Sequence, residues 1–206
     1  MTDARTSHWD NIYGTKAETD VSWFQQTPEP SLTLLGLAGA KPSSAIIDIG
    51  GGASHLVDAL LGQGFGDISV LDISQAALDA DKERLGAAAQ NVHWICSDVT
   101  AWRPERRYDV WHDRAAFHFL TDPADQAAYV SALNGALVAG GHAIIGTFAP
   151  DGPEKCSGLP IVRHDADSIG KLLGDDFVLL DSRRHEHRTP WGSVQQFQFG
   201  TFRKRT

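Results

Sequence analysis

Three aspartates in the sequence are associated with short apolar runs. Asp48 lies within the first run, Asp72 ends the second, and Asp98 follows the third. Such runs are typical of buried parallel strands, whose carboxyl ends form one edge of a sheet where ligands bind. Since Asp72 lies 22 residues after Gly50, its carboxylate is placed to accept hydrogen bonds from ribose hydroxyls beside a glycine turn. Each aspartate taken alone could equally cap a turn.

The sequence GGGASH at 50–55 directly follows the first apolar run. The dinucleotide fingerprint GxGxxG needs a third glycine where the helix packs closely on the strand, and His55 occupies that position. An imidazole there disfavours binding of a pyrophosphate at the helix N-terminus. An aspartate followed by Gly-x-Gly suits instead a ligand with a cationic amino group. The alternative is that the three glycines form only a tight turn.

Apolar runs and helical patterns alternate along most of the chain. Strands are predicted at 45–49, 68–72, 92–95, 108–112, 143–148, 177–181 and 194–202, and helices near 29–37, 56–61, 74–85, 123–137 and 165–173. This alternation is typical of βαβ units, which build a parallel sheet with helices on both faces. The last two strands have no helix between them and should form a hairpin. The predicted fold is a doubly wound, mostly parallel seven-stranded α/β sheet with an antiparallel C-terminal strand.

The composition is that of an ordinary globular protein, with 42% hydrophobic and 21% charged residues among 206. The net charge is −8 and the basic residues occur in small groups, so nucleic acid is not an expected partner. Two cysteines without CxxC spacing predict neither a metal site nor a disulfide framework. The start has no signal-peptide pattern, and no apolar run approaches the ~20 residues of a membrane span. We therefore expect a cytoplasmic protein without a membrane partner, and the sequence leaves its oligomeric state open.

In the order of its motifs the sequence resembles the class I S-adenosylmethionine-dependent methyltransferases. The motifs are DIGGGAS at 48–54, VLD at 70–72, CSDV at 96–99 and the seven-strand ending. The resemblance implies S-adenosyl-L-methionine as the cofactor. It also implies that the turn at 48–52 holds the methionine end and ribose, that Asp72 binds both ribose hydroxyls, and that Asp98 with Val99 meets the adenine. The whole predicted cofactor-binding set is Trp9, Tyr13, Trp23, Asp48, Gly50, Gly51, Gly52, Asp72, Ile73, Ser97, Asp98 and Val99.

The first forty residues are aromatic and polar and lie outside the strand–helix alternation. Trp9, Tyr13, Trp23 and Phe24 occur there among charged residues. We interpret them as a lid over the cofactor, with ordinary packing as the alternative. The predicted organisation is one methyltransferase domain over 1–206, with the lid and a helix at 1–40 and a Rossmann-like core at 41–206.

The loop after the fourth strand, WHDRAAFHFL at 111–120, is expected near the reacting methyl group. Methyl transfer needs a positioned acceptor and, for weak nucleophiles, a base that removes a proton. The predicted catalytic residues are Asp113, Arg114 and His118. Arg114 could anchor an anionic acceptor or the cofactor carboxylate. His118 could be a general base or an ordinary packed histidine, and Asp113 could bind the acceptor, pair with Arg114 or cap the next helix.

Three stretches favour one branch of the family. DRAAF at 113–117 is similar to the DRxAL stretch of the thiopurine and related thiol methyltransferases. HRTPWGSVQQF at 187–197 is similar to the closing strands of that branch, and HWDNIY with VSWF resembles its N-terminal lid. Small protein-lysine methyltransferases have a similar lid, but their loop after strand four resembles DKGT, which this chain lacks.

The resulting prediction is a methyltransferase that acts on a small-molecule acceptor, with a thiol or another soft nucleophile favoured. The alternatives are a protein-lysine N-methyltransferase, an NAD(P)-dependent oxidoreductase and a non-catalytic cofactor-binding protein, because fold alone does not determine function. Cys156 is interpreted as an ordinary loop residue, since no base for a nucleophilic thiol is visible near it.

Overall fold

A computed structural model describes the backbone of residues 2–206 and side chains from residue 4 onward. Its main sheet has seven strands in the order β3-β2-β1-β4-β5-β9-β8. Their bounds are β1 Ile46–Ile49, β2 Ile68–Asp72, β3 Val92–Cys96, β4 Tyr108–Arg114, β5 Leu137–Phe148, β8 Phe177–Arg188 and β9 Val194–Lys204. The first five are parallel, and β9 runs antiparallel to both of its neighbours. The predicted fold class is thereby confirmed.

Helices cover both faces of the sheet because successive residues of a buried parallel strand point to opposite sides. Ile46 packs with α2 and α3 on one face, whereas its neighbour Ile47 packs with α5 and α6 on the other. The helices are α1 Thr2–Thr15, α2 Ser31–Leu37, α3 Leu56–Gly62, α4 Gln75–Leu85, α5 Pro123–Ala136 and α6 Ala166–Leu173. None of them, in the described part of the chain, has the length and apolar composition that a membrane span requires.

Local sequence explains where the helices near the sheet edge begin. Ser74 precedes α4 and its hydroxyl accepts a hydrogen bond from the Ala77 amide at 3.2 Å, as an N-cap does. Asp122 caps α5 in the same way, with Pro123 at the first helical position, where a missing N–H costs little. These caps fix the loops between strands and helices, and the loops at the carboxyl ends of the strands form the candidate site.

The structure differs from the sequence-based expectation most clearly at α1, β5, β8 and a short additional ribbon. Residues 2–15 form α1, whereas no helix was expected there, since its apolar stripe is little more than Trp9, Ile12 and Tyr13. β5 begins at residue 137 rather than 143, directly after α5. β8 continues to Arg188 rather than ending at 181, because it is an edge strand whose polar second half, SRRHEHR, lacks the apolar alternation of a buried strand. A short ribbon, β6 Lys155–Cys156 with β7 Leu159–Pro160, lies between β5 and α6.

Candidate active site

A cleft lies at the carboxyl ends of the parallel strands, where ligands bind in open α/β sheets. It encloses about 850 Å³ of empty space, open solvent at its mouth included. One side is built from the ends of β1, β2 and β3, and the other from the loop after β4, the end of β5, β6 and β9. The lining residues are Arg5, Trp9, Tyr13, Trp23, Ile49, Gly50, Leu71, Asp72, Ile73, Ser97, Asp98, Val99, Arg114, Ala115, Ala116, Phe119, Leu120, Phe148, Cys156, Gln195 and Phe197.

Most of the predicted cofactor-binding residues lie on the walls of this cleft. The exceptions are Asp48, Gly51 and Gly52, which lie beneath the wall rather than on it. The lining members of the predicted set are Trp9, Tyr13, Trp23, Gly50, Asp72, Ile73, Ser97, Asp98 and Val99.

Asp72 ends β2 and holds the glycine turn in place. One carboxylate oxygen accepts the Gly52 amide at 3.0 Å and the other accepts the Ser74 amide at 2.8 Å. The side chain is buried, and burial raises its pKa from 3.8 to about 6, although these amide bonds act in the opposite direction. A carboxylate so fixed at the cleft is preorganised to accept further hydrogen bonds from a ligand.

The glycine turn at 50–52 has no room for larger side chains, for reasons that lie within the protein itself. A Cβ atom on Gly51 would lie 2.5 Å from Asp48 Oδ2, and one on Gly52 would lie 2.5 Å from Ala77 Cβ. Gly50 has φ 64°, in the left-handed region that glycine adopts without strain. The turn therefore packs directly on Asp48 and the start of α4.

Asp48 belongs to a buried chain of polar groups under the turn. Its Oδ1 lies 2.6 Å from His112 Nδ1, and His112 Nε2 lies 2.8 Å from the Ser31 hydroxyl on α2. The sequence-based expectation placed Asp48 in the cofactor site. The geometry instead places it as a support for Gly51, since its carboxylate is occupied by His112 and does not line the cleft.

Asp98 combines the two roles that the sequence left open. One oxygen accepts the Thr100 amide at 2.9 Å and the Thr100 hydroxyl at 2.7 Å, which is the turn-capping role. The other has no hydrogen-bond partner among the described residues. The guanidinium of Arg5 lies 3.9 Å from it and 2.9 Å from Asp125. Asp98 therefore lines the cleft and keeps one buried carboxylate oxygen whose acceptor capacity is unused.

Three N-terminal aromatic residues form a cluster on the wall of the cleft. The ring of Trp9 lies 5.0 Å from Phe119 and 5.7 Å from Trp23, measured between centroids, and Tyr13 packs beside both tryptophans. Desolvation raises the pKa of the Tyr13 hydroxyl well above 10, and the charge of Asp72 adds to the shift. Phe24, the fourth predicted lid residue, packs against His55 instead and does not line the cleft.

Polar contacts connect this N-terminal segment to residues next to Asp72 and the glycine turn. Asp10 on α1 accepts a hydrogen bond from the Ser74 hydroxyl at 2.6 Å, beside Asp72. Glu18, in a short 3-10 turn, lies 3.1 Å from Arg84 and 3.3 Å from His55. The histidine that interrupts the dinucleotide fingerprint thus contacts the lid segment, a role that no local sequence signal indicated.

Of the three predicted catalytic residues, only Arg114 lines the cleft. Its guanidinium donates to the Trp23 carbonyl at 2.8 Å, and desolvation lowers the pKa of the guanidinium. No carboxylate lies within salt-bridge distance of it among the described residues, so its charge is available to a ligand.

Asp113 and His118 lie away from the cleft, which corrects their expected placement. Asp113 accepts the Ala116 amide at 2.8 Å and the Tyr129 hydroxyl at 2.7 Å, so it caps the turn after β4. His118 is fully buried, its Nδ1 accepts the Phe148 amide at 3.3 Å, and burial lowers its pKa to about 3. Without contact to the cleft, neither side chain is placed to move a proton there.

Sequence reasoning missed several lining residues on the acceptor side. Cys156, interpreted as an ordinary loop residue, is buried in β6 and lines the cleft, and burial raises the pKa of its thiol to about 12. Gln195 and Phe197 come from β9. The alternation in VQQFQF at 194–199 places these two on one side of the strand, but the sequence alone does not show that β9 reaches the cleft.

A methyltransferase-domain family model matches residues 46–141. Malonyl-[acyl-carrier protein] O-methyltransferase 1 of Ilyobacter polytropus is 31% identical over 111 residues, which are 53% of this chain and 40% of that protein. A second relative, nodulation protein S of Rhizobium tropici, is matched over 51% of its length. The chain thus spans about half the length, or less, of these curated relatives.

Solved structures show the same fold. A methyltransferase from Anabaena variabilis superposes with a TM-score of 0.76 at 17% identity, covering 99% of this chain and 95% of that one. The 1,6-didemethyltoxoflavin-N1-methyltransferase of Burkholderia thailandensis superposes with a TM-score of 0.70 at 19% identity, covering 100% and 87%; its structure contains S-adenosylhomocysteine. The family match over residues 46–141 and the shared fold confirm the predicted resemblance to the class I S-adenosylmethionine-dependent methyltransferases. They do not identify the thiopurine or thiol branch.

Proposed function

We propose that this protein binds S-adenosylmethionine in the cleft and transfers its methyl group to a small-molecule acceptor, with a thiol or another soft nucleophile as the favoured class. The observation that carries the proposal is the buried Asp72 carboxylate, fixed by two amides at the end of β2 and exposed to the cleft. The similar malonyl-[acyl-carrier protein] O-methyltransferase and 1,6-didemethyltoxoflavin-N1-methyltransferase support the small-molecule part of the proposal.

The residues present fit this cofactor. Asp72 offers a carboxylate to the two ribose hydroxyls, Asp98 offers its unpartnered oxygen, and the backbone at Gly50 allows close approach. When bound, S-adenosylmethionine would supply a methyl carbon for in-line attack by the acceptor, with S-adenosylhomocysteine as the leaving group. Trp9 and Trp23 line the cleft with apolar rings, which would help to exclude water from the reacting end.

On the acceptor side the chain contributes orientation and charge. Arg114 holds an anionic group, either of the acceptor or of the cofactor carboxylate, through the guanidinium donors not used by Trp23. Cys156 has a raised thiol pKa and stays protonated near neutral pH. An acceptor that is already nucleophilic needs no base. Arg114 and the protonated Cys156 thiol, which offer charge and packing rather than a base, agree with such an acceptor.

Calorimetry with S-adenosylhomocysteine and, separately, with NAD tests the proposal. We expect binding of the first compound and no measurable binding of the second, because His55 occupies the position of the third fingerprint glycine. Binding of NAD alone would contradict the proposal and favour an oxidoreductase. An acceptor screen with thiols, halides, metalloid oxyanions and lysine peptides then tests turnover.

The affinity for S-adenosylhomocysteine should depend on pH through Asp72. Its pKa in the free protein is about 6, so lowering the pH through 6 protonates the carboxyl and removes a hydrogen-bond acceptor. The dissociation constant should rise roughly tenfold between pH 7 and pH 5, by proton linkage. Calorimetry across this range measures it, and an Asp72→Asn variant, weaker throughout, should lose this pH dependence. A wild-type profile that is flat across pH 6 would show that Asp72 does not contact the ligand.

We expect the lid segment, residues 8–26, to close on the bound cofactor. Amide hydrogen exchange across residues 8–26 should slow at least severalfold when S-adenosylhomocysteine binds, because Trp9, Tyr13 and Trp23 line the cleft. Residues 166–173 of α6, on the far side of the sheet, serve as the internal control. Unchanged protection of 8–26 in the bound protein would rule out closure.

A further inference from the structure

The cleft is lined by several flat apolar rings. These are the rings of Trp9, Trp23, Phe119, Phe148 and Phe197, of which the last three belong to the acceptor side formed by the loop after β4, β5 and β9. The rings of Phe148 and Phe197 lie 4.9 Å apart, at 77° to each other, which forms a continuous aromatic wall at the ends of β5 and β9. Aromatic walls favour a ligand with a planar ring, since rings pack edge-to-face or offset against one another.

Gln195 is a polar side chain set into this apolar region. It lines the cleft, and none of the described residues hydrogen-bonds its amide. Gln198 on the same strand differs sharply, because its amide nitrogen donates to Ser182, Arg183 and Phe199 within 3.2 Å. The side-chain amide of Gln195 therefore keeps both its donor and its acceptor free for a ligand.

Gln195 lies in the part of the cleft assigned to the acceptor, away from the part assigned to the cofactor. β9 lies three strand spacings from β1 in the sheet, roughly 14 Å from the glycine turn. Gln195 stands opposite His187 on β8, and His187 Nε2 lies 2.6 Å from the Ser22 carbonyl. This contact places Gln195 next to the segment that carries Trp23.

We propose that Gln195 determines acceptor specificity by pairing with a hydrogen-bonding edge of a planar heteroaromatic acceptor. In an apolar site a few polar groups fix the orientation of the ligand. A carboxamide presents a donor and an acceptor side by side, which matches a ring N–H next to a ring carbonyl. The inference rests on the proposed methyltransferase function and narrows its substrate class.

The test compares two planar thiols, 2-thiouracil and thiophenol. Only 2-thiouracil has a ring N–H beside a carbonyl, so the ratio of kcat/KM for the two thiols isolates recognition of that edge. Gln195→Leu should lower this ratio roughly tenfold, the usual effect of losing one to two neutral hydrogen bonds. Gln196→Leu is the matched control, since neighbouring residues on a strand face opposite sides, and it should leave the ratio unchanged.

A second measurement does not depend on turnover. Uracil, which has the same edge but no thiol, should bind to the wild-type protein saturated with S-adenosylhomocysteine, and should bind roughly tenfold more weakly to Gln195→Leu. The affinity of that variant for S-adenosylhomocysteine itself should stay within about twofold.

The outcomes separate this inference from the proposed function. An unchanged ratio in Gln195→Leu, or a wild-type protein that holds S-adenosylhomocysteine but neither thiol nor uracil, overturns the role of Gln195 and leaves cofactor binding intact. Failure of the wild-type protein to bind S-adenosylhomocysteine overturns the proposed function itself.

Discussion

An Asp72→Ala variant is expected to bind S-adenosylhomocysteine at least tenfold more weakly than the wild-type protein. In the proposed complex the change removes one or two charge-assisted hydrogen bonds to the ribose, each contributing roughly 1.5–3 kcal/mol. It also leaves the amides of Gly52 and Ser74 without their acceptor. Loss of those two bonds releases the glycine turn, so the effect of the substitution includes loss of preorganisation.

Calorimetry measures this change in affinity, and thermal unfolding of the same samples checks that the variant is folded. Asp79→Ala is a suitable control, because Asp79 is an exposed aspartate on the neighbouring α4 whose side-chain partners, among the described residues, are Gln75 and Lys82. It should leave the dissociation constant within about twofold. An unaltered dissociation constant in Asp72→Ala would mean that the ribose is held elsewhere.

The second large effect concerns stability. Asp48→Ala leaves His112 buried without its carboxylate partner, since the two side chains lie 2.6 Å apart and are both buried. Removing one member of a buried pair costs about 3 kcal/mol or more. For a chain of this size that corresponds to a fall in Tm of roughly 6–12 °C. Denaturant unfolding gives the free energy directly.

A double-mutant cycle with His112→Ala separates the pair from the cavity that each substitution leaves. The double variant should be less destabilised than the sum of the single variants, because no unpaired group remains. Additive effects would show that Asp48 and His112 do not depend on each other. The affinity for S-adenosylhomocysteine should fall less in Asp48→Ala than in Asp72→Ala, since Asp48 acts through Gly51 and does not line the cleft.

The parallel half of the fold could be predicted because local sequence determines it. The strands that carry Asp48 and Asp72 are fully buried apolar runs, and their carboxyl ends meet at one edge in any parallel sheet. The same reasoning placed Asp98 at the cleft. The antiparallel ending was also predictable, because no helix separates the last two strands.

The roles of the residues in the loop after β4 could not be assigned from sequence, because the assignment depends on a single residue of register. β4 continues to Arg114, so Asp113 and Arg114 point to opposite sides of the strand. Asp113 then bonds Tyr129 in the core while Arg114 faces the cleft. His118 follows in a turn whose direction depends on tertiary packing.

The acceptor side was the least predictable part for a related reason. Cys156 and Gln195 reach the cleft through a ribbon and a strand that are far from Asp72 in sequence, and no local pattern fixes such long-range placement. The helix α1 was missed because it is stabilised by contacts such as Asp10 with Ser74 rather than by a broad apolar stripe.

The division of the cleft between two regions of the chain has an evolutionary consequence. Substitutions in the β8–β9 hairpin reshape the wall formed by Gln195 and Phe197 without touching the turn that Asp72 holds. Variation in this hairpin can therefore be selected for new acceptors while the methyl donor remains the same. Drift at Gly51 or Gly52 has no such freedom, because any side chain there collides with Asp48 or Ala77.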